Sequence, residues 1–146
     1  MRGNRCNKGF TLTEMLVVIA IIAVLVSIVI PTVTAGVDKA KAAADAANLR
    51  SVLGNLNAEV LLTNTIINEL VRAMEPSESK LYPGATLHVV YDTLGFIDVY
   101  YVDGNKYYGL KYLSEFAEKG SSALSTDAPT LSADHTWYQV GYGAVN

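Results

Sequence analysis

Gly9-Phe10-Thr11-Leu12-Thr13-Glu14-Met15-Leu16-Val17-Val18-Ile19-Ala20-Ile21-Ile22-Ala23-Val24-Leu25-Val26-Ser27-Ile28-Val29-Ile30-Pro31 decides how the rest of this chain is read. From Met15 to Ile30 it runs sixteen residues without a charge, and only Ser27 breaks the apolar series. With Phe10 to Leu16 included, the helix reaches the ~20 residues needed to cross a hydrocarbon core of ~30 Å. One residue does not suit a plain anchor. Glu14 puts a carboxylate at the start of the apolar run, and an ionisable group placed there is a functional hypothesis that calls for a partner.

Three basic residues, Arg2, Arg5 and Lys8, precede the run. On the far side Asp38, Lys39, Lys41 and Asp45 nearly cancel, so the positive-inside rule places the N-terminus in the cytoplasm and the remainder outside. At 146 residues the chain has room for one modest domain beyond the membrane segment.

Lys8-Gly9-Phe10-Thr11-Leu12-Thr13-Glu14 followed by an apolar helix resembles the processing and assembly signal of type IV pilins and pseudopilins. Thr13 is a small departure, since the family more often has an aliphatic residue there. The resemblance covers residues 1–36 closely and the rest only in architecture. It implies that a prepilin peptidase cuts between Gly9 and Phe10, that the new Phe10 amine is methylated, and that the helix packs into a filament core. Glu14 would then find its partner in the Phe10 amine of a neighbouring subunit. The implied partners are copies of the chain and other pilins, the peptidase and methyltransferase, a membrane assembly platform, and the lipid bilayer before assembly.

Three segments follow from this reading: a basic leader over 1–9, a transmembrane and filament-core helix over 10–34, and a globular head over 35–146. Removing the leader takes the formal charge from −3, with 11 basic and 14 acidic residues, to −6, with 8 and 14. So acidic a chain is a poor partner for nucleic acid, whose binding depends on Lys and Arg neutralising phosphates. Cys6 is the only cysteine and lies in the leader, so the mature chain can form no disulfide. That favours a Gram-positive source or a pseudopilin. The rival reading is a secretory signal peptide cut after Val33-Thr34-Ala35, which would release a binding module. Against it stand the length of the apolar run, Glu14, and a helical period that continues through the cut.

Pro31 falls within the helix and predicts a bend there. Beyond it, Val33, Val37, Ala40, Ala44, Ala47, Leu49, Val52, Leu53, Leu56 and Val60 recur mostly at steps of three or four, one apolar stripe of a helix over 35–62. Asp38, Lys39, Lys41, Asp45, Arg50 and Glu59 fall mostly off that stripe. Asn64 and Thr65 are placed to cap a short second helix carrying Ile66, Ile67, Leu70, Val71 and Met74, unless the first helix continues. Tyr82-Pro83-Gly84-Ala85 has Pro and Gly where a type II turn needs them.

The second half is richer in β-branched and aromatic residues. Strands are predicted over Leu87–Tyr91, Phe96–Val102 and, after an Asp103-Gly104-Asn105 turn, Lys106–Tyr112. A single helical turn is expected at Ser114–Glu118, a loop over Gly120–Asp134, and a last strand over Thr136–Tyr142. A long helix followed by an antiparallel meander over about 85–142 makes an α+β fold, helix packed on sheet, which is the architecture the pilin resemblance implies.

No catalytic constellation is present, and the chain reads as non-enzymatic. His88 and His135 are far apart in sequence, and His88 belongs to a strand. Asp92, Asp98 and Asp103 fall near strand ends and read as solvated. Asp127 and Asp134 share an oxygen-rich loop of the kind major pseudopilins use for Ca²⁺, but two carboxylates are few for an ion that takes six to eight oxygens. All nine tyrosines follow Leu81. The pairs Tyr100-Tyr101 and Tyr107-Tyr108 must place one ring on each face of a sheet.

Overall fold

A computed structural model describes residues 9–63, 67–91, 96–129, 136–141 and 143–145. The leader residues 1–8, the capping pair Asn64 and Thr65, and Asp92, Asp134, His135 and Tyr142 lie outside them. The chain divides into two compact units, Met1–Ala35 and Gly36–Asn146. Helix α1, Leu12–Thr63, belongs to both.

In the first unit α1 is uncovered. Each of the fifteen Val, Leu, Ile and Met side chains from Leu12 to Val33 is at least 45 % exposed. Burying one such side chain is worth about 1.5–3 kcal/mol, whereas a whole domain is stable by only about 5–15 kcal/mol. This surface therefore requires lipid or protein around it. Pro31 stands inside the helix, where it has no N–H for the Ser27 carbonyl. Hydroxyls on either side turn inward: Ser27 Oγ donates to Val24 O (2.7 Å), Thr32 Oγ1 to Ile28 O (3.1 Å) and Thr34 Oγ1 to Pro31 O (3.0 Å). Polar groups bonded to their own helix are tolerable in an apolar medium.

The second unit is an α+β head in which the remainder of α1 packs on an antiparallel sheet. Its strands are β1 (Thr86–Tyr91), β2 (Ile97–Asp103), β3 (Lys106–Gly109), β4 (Thr136–Gln139) and β5 (Gly143–Val145), in the order β3-β2-β1-β4-β5. Only β1 to β3 form the expected meander. The fourth strand returns beside β1, which gives the first four strands a Greek-key order. Register sorts the side chains by face. Leu87, Val89, Val99, Tyr101 and Tyr108 turn to α1 and form the core with Ala46, Leu49, Val52, Leu56 and Val140. Helix α2, Ile67–Ala73, lies against β4 and β5 and adds Ile67 and Val71.

The apolar stripe on α1 is right from Leu49 onward and displaced before it. Ala42, Asp45 and Ala46 are buried, while Ala40 and Ala47 are exposed. Alanines at 40, 42–44, 46 and 47 carry almost no facial information, so the polar residue decides. Asp45, expected on the wet face, is 1 % exposed. It accepts from Ser79 Oγ (2.6 Å), Lys80 N (2.9 Å) and Leu81 N (3.0 Å). A buried acid bonded three times ties α1 to the segment that enters the sheet.

Turn chemistry is as predicted around Gly84. Ala85 N donates to Tyr82 O (3.0 Å) and Gly84 has φ 96°, the positive value a type II turn needs. Two strands end sooner than predicted. β3 stops at Gly109, and Leu110–Lys119 is a ten-residue helix, α3, instead of a strand to Tyr112 and one turn at Ser114–Glu118. Aromatic strand propensity misled there, because Leu113 is fully buried on a helical face and Lys119 pairs with Glu115 (2.9 Å). Gly120, at φ 82°, closes α3, and Lys39 Nζ reaches the Glu118 carbonyl (2.8 Å) from α1. The last strand likewise stops at Gln139. Gly141, at φ 83°, turns the chain back as β5.

Candidate functional site

The start of α1 is a capping box. Thr11 precedes the first helical residue, and its Oγ1 accepts from Glu14 N at 3.2 Å. In return Glu14 Oε2 accepts from Thr11 N (2.8 Å) and Thr11 Oγ1 (2.8 Å). The Thr-x-x-Glu spacing dictates this, since the residue at the third helical position reaches back to the capping amide. The carboxylate is also held at the positive end of the helix dipole. Glu14 thus has a partner within its own chain, contrary to the expectation that a single subunit leaves it without one. The signal is legible in the Thr11 and Glu14 spacing alone.

Gly9 and Phe10 lie just before the helix and are exposed, Phe10 by 78 %. A side chain on Gly9 would meet nothing within 4 Å. Nothing among the described residues therefore requires glycine there. The bond between Gly9 and Phe10 is outside the α-helical ladder, so a protease could take it without unwinding α1. Cutting it would leave the capping box intact, because both partners lie on the Phe10 side.

The other sequence candidates do not assemble. His88 is half-buried on the sheet face away from α1, with Nδ1 3.0 Å from Thr86 O and its ring edge-on to Trp137. Burial pushes its pKa below the ordinary 6.5, partly opposed by that backbone contact. Asp98 accepts from Val99 N (2.8 Å) and Tyr100 Oη (2.6 Å). Asp127 Oδ2 accepts from Ser125 Oγ at 2.6 Å, a local turn contact. Among the described residues no three His, Cys, Asp or Glu side chains gather as a metal site. The tyrosine pairs divide between faces as expected. Tyr101 and Tyr108 are buried under α1, while Tyr100 and Tyr107 meet Trp137 on the other side. Tyr82 stacks on Tyr108 with centroids 3.9 Å apart and shares a hydrogen bond with Tyr112 (2.9 Å); burial first, and then that bond, raise the Tyr82 pKa.

Residues 4–30 match the family described as the prokaryotic N-terminal methylation motif, the leader signature of type IV pilin and pseudopilin precursors. The motif implies processing by a prepilin peptidase and assembly into a pilin-type filament, and it marks a structural family, not an enzymatic one. With the one helix among the described residues that is long and apolar enough to cross a membrane, it fits a membrane-anchored precursor. No curated protein and no solved structure matches the chain.

Proposed function

We propose that this chain is the precursor of a type IV pilus subunit. The peptidase cuts between Gly9 and Phe10, and the Phe10 amine is methylated. The subunit then waits in the cytoplasmic membrane with its N-terminus inside and its head outside. An assembly platform moves the helix from lipid into a helical filament that serves adhesion or motility on the cell surface.

The observation that carries this reading is the capping box at the head of an uncovered apolar helix. Thr11 holds Glu14 by Oε2, and Oε1 takes no bond from the described residues. A carboxylate has acceptor capacity beyond two bonds, so the Phe10 ammonium of a neighbour can join without breaking the box. In a low-dielectric bundle that attraction is strong. The second reading, a pseudopilin of a secretion or DNA-uptake system, is favoured by the lack of cysteine in the mature chain.

Glu14→Leu tests the pairing. The variant should enter the membrane and be cut after Gly9 as wild type is, yet yield few or no filaments when expressed without native subunits. Glu14→Asp, with the charge on a shorter arm, should fall between. Wild-type filament yield from Glu14→Leu, counted by electron microscopy of sheared surface material, would overturn it.

A further inference from the structure

The sheet face turned away from α1 carries a groove that none of the foregoing uses. Two adjoining cavities of about 470 and 490 Å³ share Tyr100, Gly109 and Lys111, a size within the range of small-molecule sites. Their common floor is the Tyr100 ring. Gly109 is its cross-strand partner, and a Cβ there would come within 2.7 Å of the ring, so the glycine lets the ring lie against the β3 backbone. The Tyr100 hydroxyl is fixed by its bond to Asp98. Covering a strand glycine with an aromatic ring is a common structural device, and it accounts for Tyr100 and Gly109. It does not account for what stands around them.

The first cavity is walled by Tyr107, Tyr112 and the loop from Leu124 to Pro129. That loop is held to β3 by Tyr107 N donating to Thr126 O (2.7 Å), and its turn by Ser125 and Asp127. Half-buried aromatic rings are thus met by an exposed ammonium, Lys111, an exposed carboxylate, Asp127, and the Ser125 hydroxyl. Asp98 lines the second cavity as well, its oxygens taken by Val99 N and Tyr100 Oη, so two carboxylates stand against one ammonium. A phosphate or nucleotide would want an excess of cations, and a purely apolar ligand would give Lys111 no partner and add nothing to the Ser125–Asp127 pair. A pyranose suits both halves: its C–H face lies on aromatic rings and its hydroxyls pair with carboxylate, ammonium and hydroxyl.

We propose that this groove binds a neutral hexose oligosaccharide, stacked on its tyrosine rings. The proposal does not depend on filament assembly. Trp137 is the only tryptophan, and its ring lies 5.7 Å from Tyr100 and 5.2 Å from Tyr107. Its fluorescence therefore reports on the groove in the full chain. The chain would be held in micelles of a detergent without a sugar headgroup and titrated with cellobiose, lactose and N,N′-diacetylchitobiose. At least one should give a saturable change with Kd of about 1 mM or tighter. Lys111→Ala and Asp127→Asn, both at exposed positions, should each weaken it about tenfold without changing the thermal melt. Tyr107→Ala should weaken it too, with the melt recorded alongside. No saturable change with any of the three sugars would overturn the proposal. So would affinity unchanged in both exposed variants, or saturation by inorganic phosphate in place of sugar.

Discussion

Glu14 shows how much one side chain can do when its spacing is right. Three residues after Thr11, it completes a capping box that lies wholly on the Phe10 side of the Gly9–Phe10 bond. His88 is a different case, a histidine whose environment sets its charge. Burial among Thr86 and Trp137 favours the neutral ring. Because its folded pKa lies below the ordinary 6.5, the unfolded chain takes up a proton first as pH falls. His88 thus contributes stability that is present above pH 6.5 and is lost as pH drops through its folded pKa. Thermal melts between pH 7.5 and 5, a window of about one unit and more around the ordinary value, should show wild type losing stability faster than His88→Gln. Parallel curves would contradict this assignment.

Among the elements, α1 and the first two strands were legible because apolar period and β-branched runs agree with the packing. α3 was not. Tyr107, Tyr108 and Tyr112 argue for strand locally, and only Leu113 beneath the sheet edge and Lys39 at the far end favour helix. Asp45 was illegible for another reason. A carboxylate on an alanine-rich helix reads as solvated unless its donors are known, and these come from residues 34 to 36 positions away. It supplies a prediction for the element. Asp45→Ala leaves a hydroxyl and two amides without their acceptor and should destabilise the head by about 3 kcal/mol in urea unfolding. Asp45→Asn keeps one acceptor oxygen and should recover part of that loss. A change under about 1 kcal/mol in Asp45→Ala, the level of an ordinary surface substitution, would show that the tie between α1 and the 79–81 segment is dispensable. The capping box, by contrast, was readable from four letters, and the outer groove was not readable at all. Its parts come from β2, β3, the start of α3 and the following loop, and only pairing brings them together.

For the whole molecule, the division at Ala35 separates two environments. Among the described residues, the hydrophobic core lies wholly in the second unit, between Ala42 and Val140. Deleting residues 1–34 should therefore leave a soluble monomer that unfolds cooperatively. Obligate aggregates in sedimentation, or a melt without a transition, would mean the head needs its anchor. Among the described residues the first unit has no core of its own, and its uncovered helix fits lipid or protein around it. The same residues separate this account from its secretory rival, since the two cut the chain at different places. The most direct measurement is the mass of the N-terminal peptide of the native protein, isolated from the cells that make it. That peptide should begin at methylated Phe10. A chain that begins at Gly36, or one that still carries residues 1–9, would contradict it.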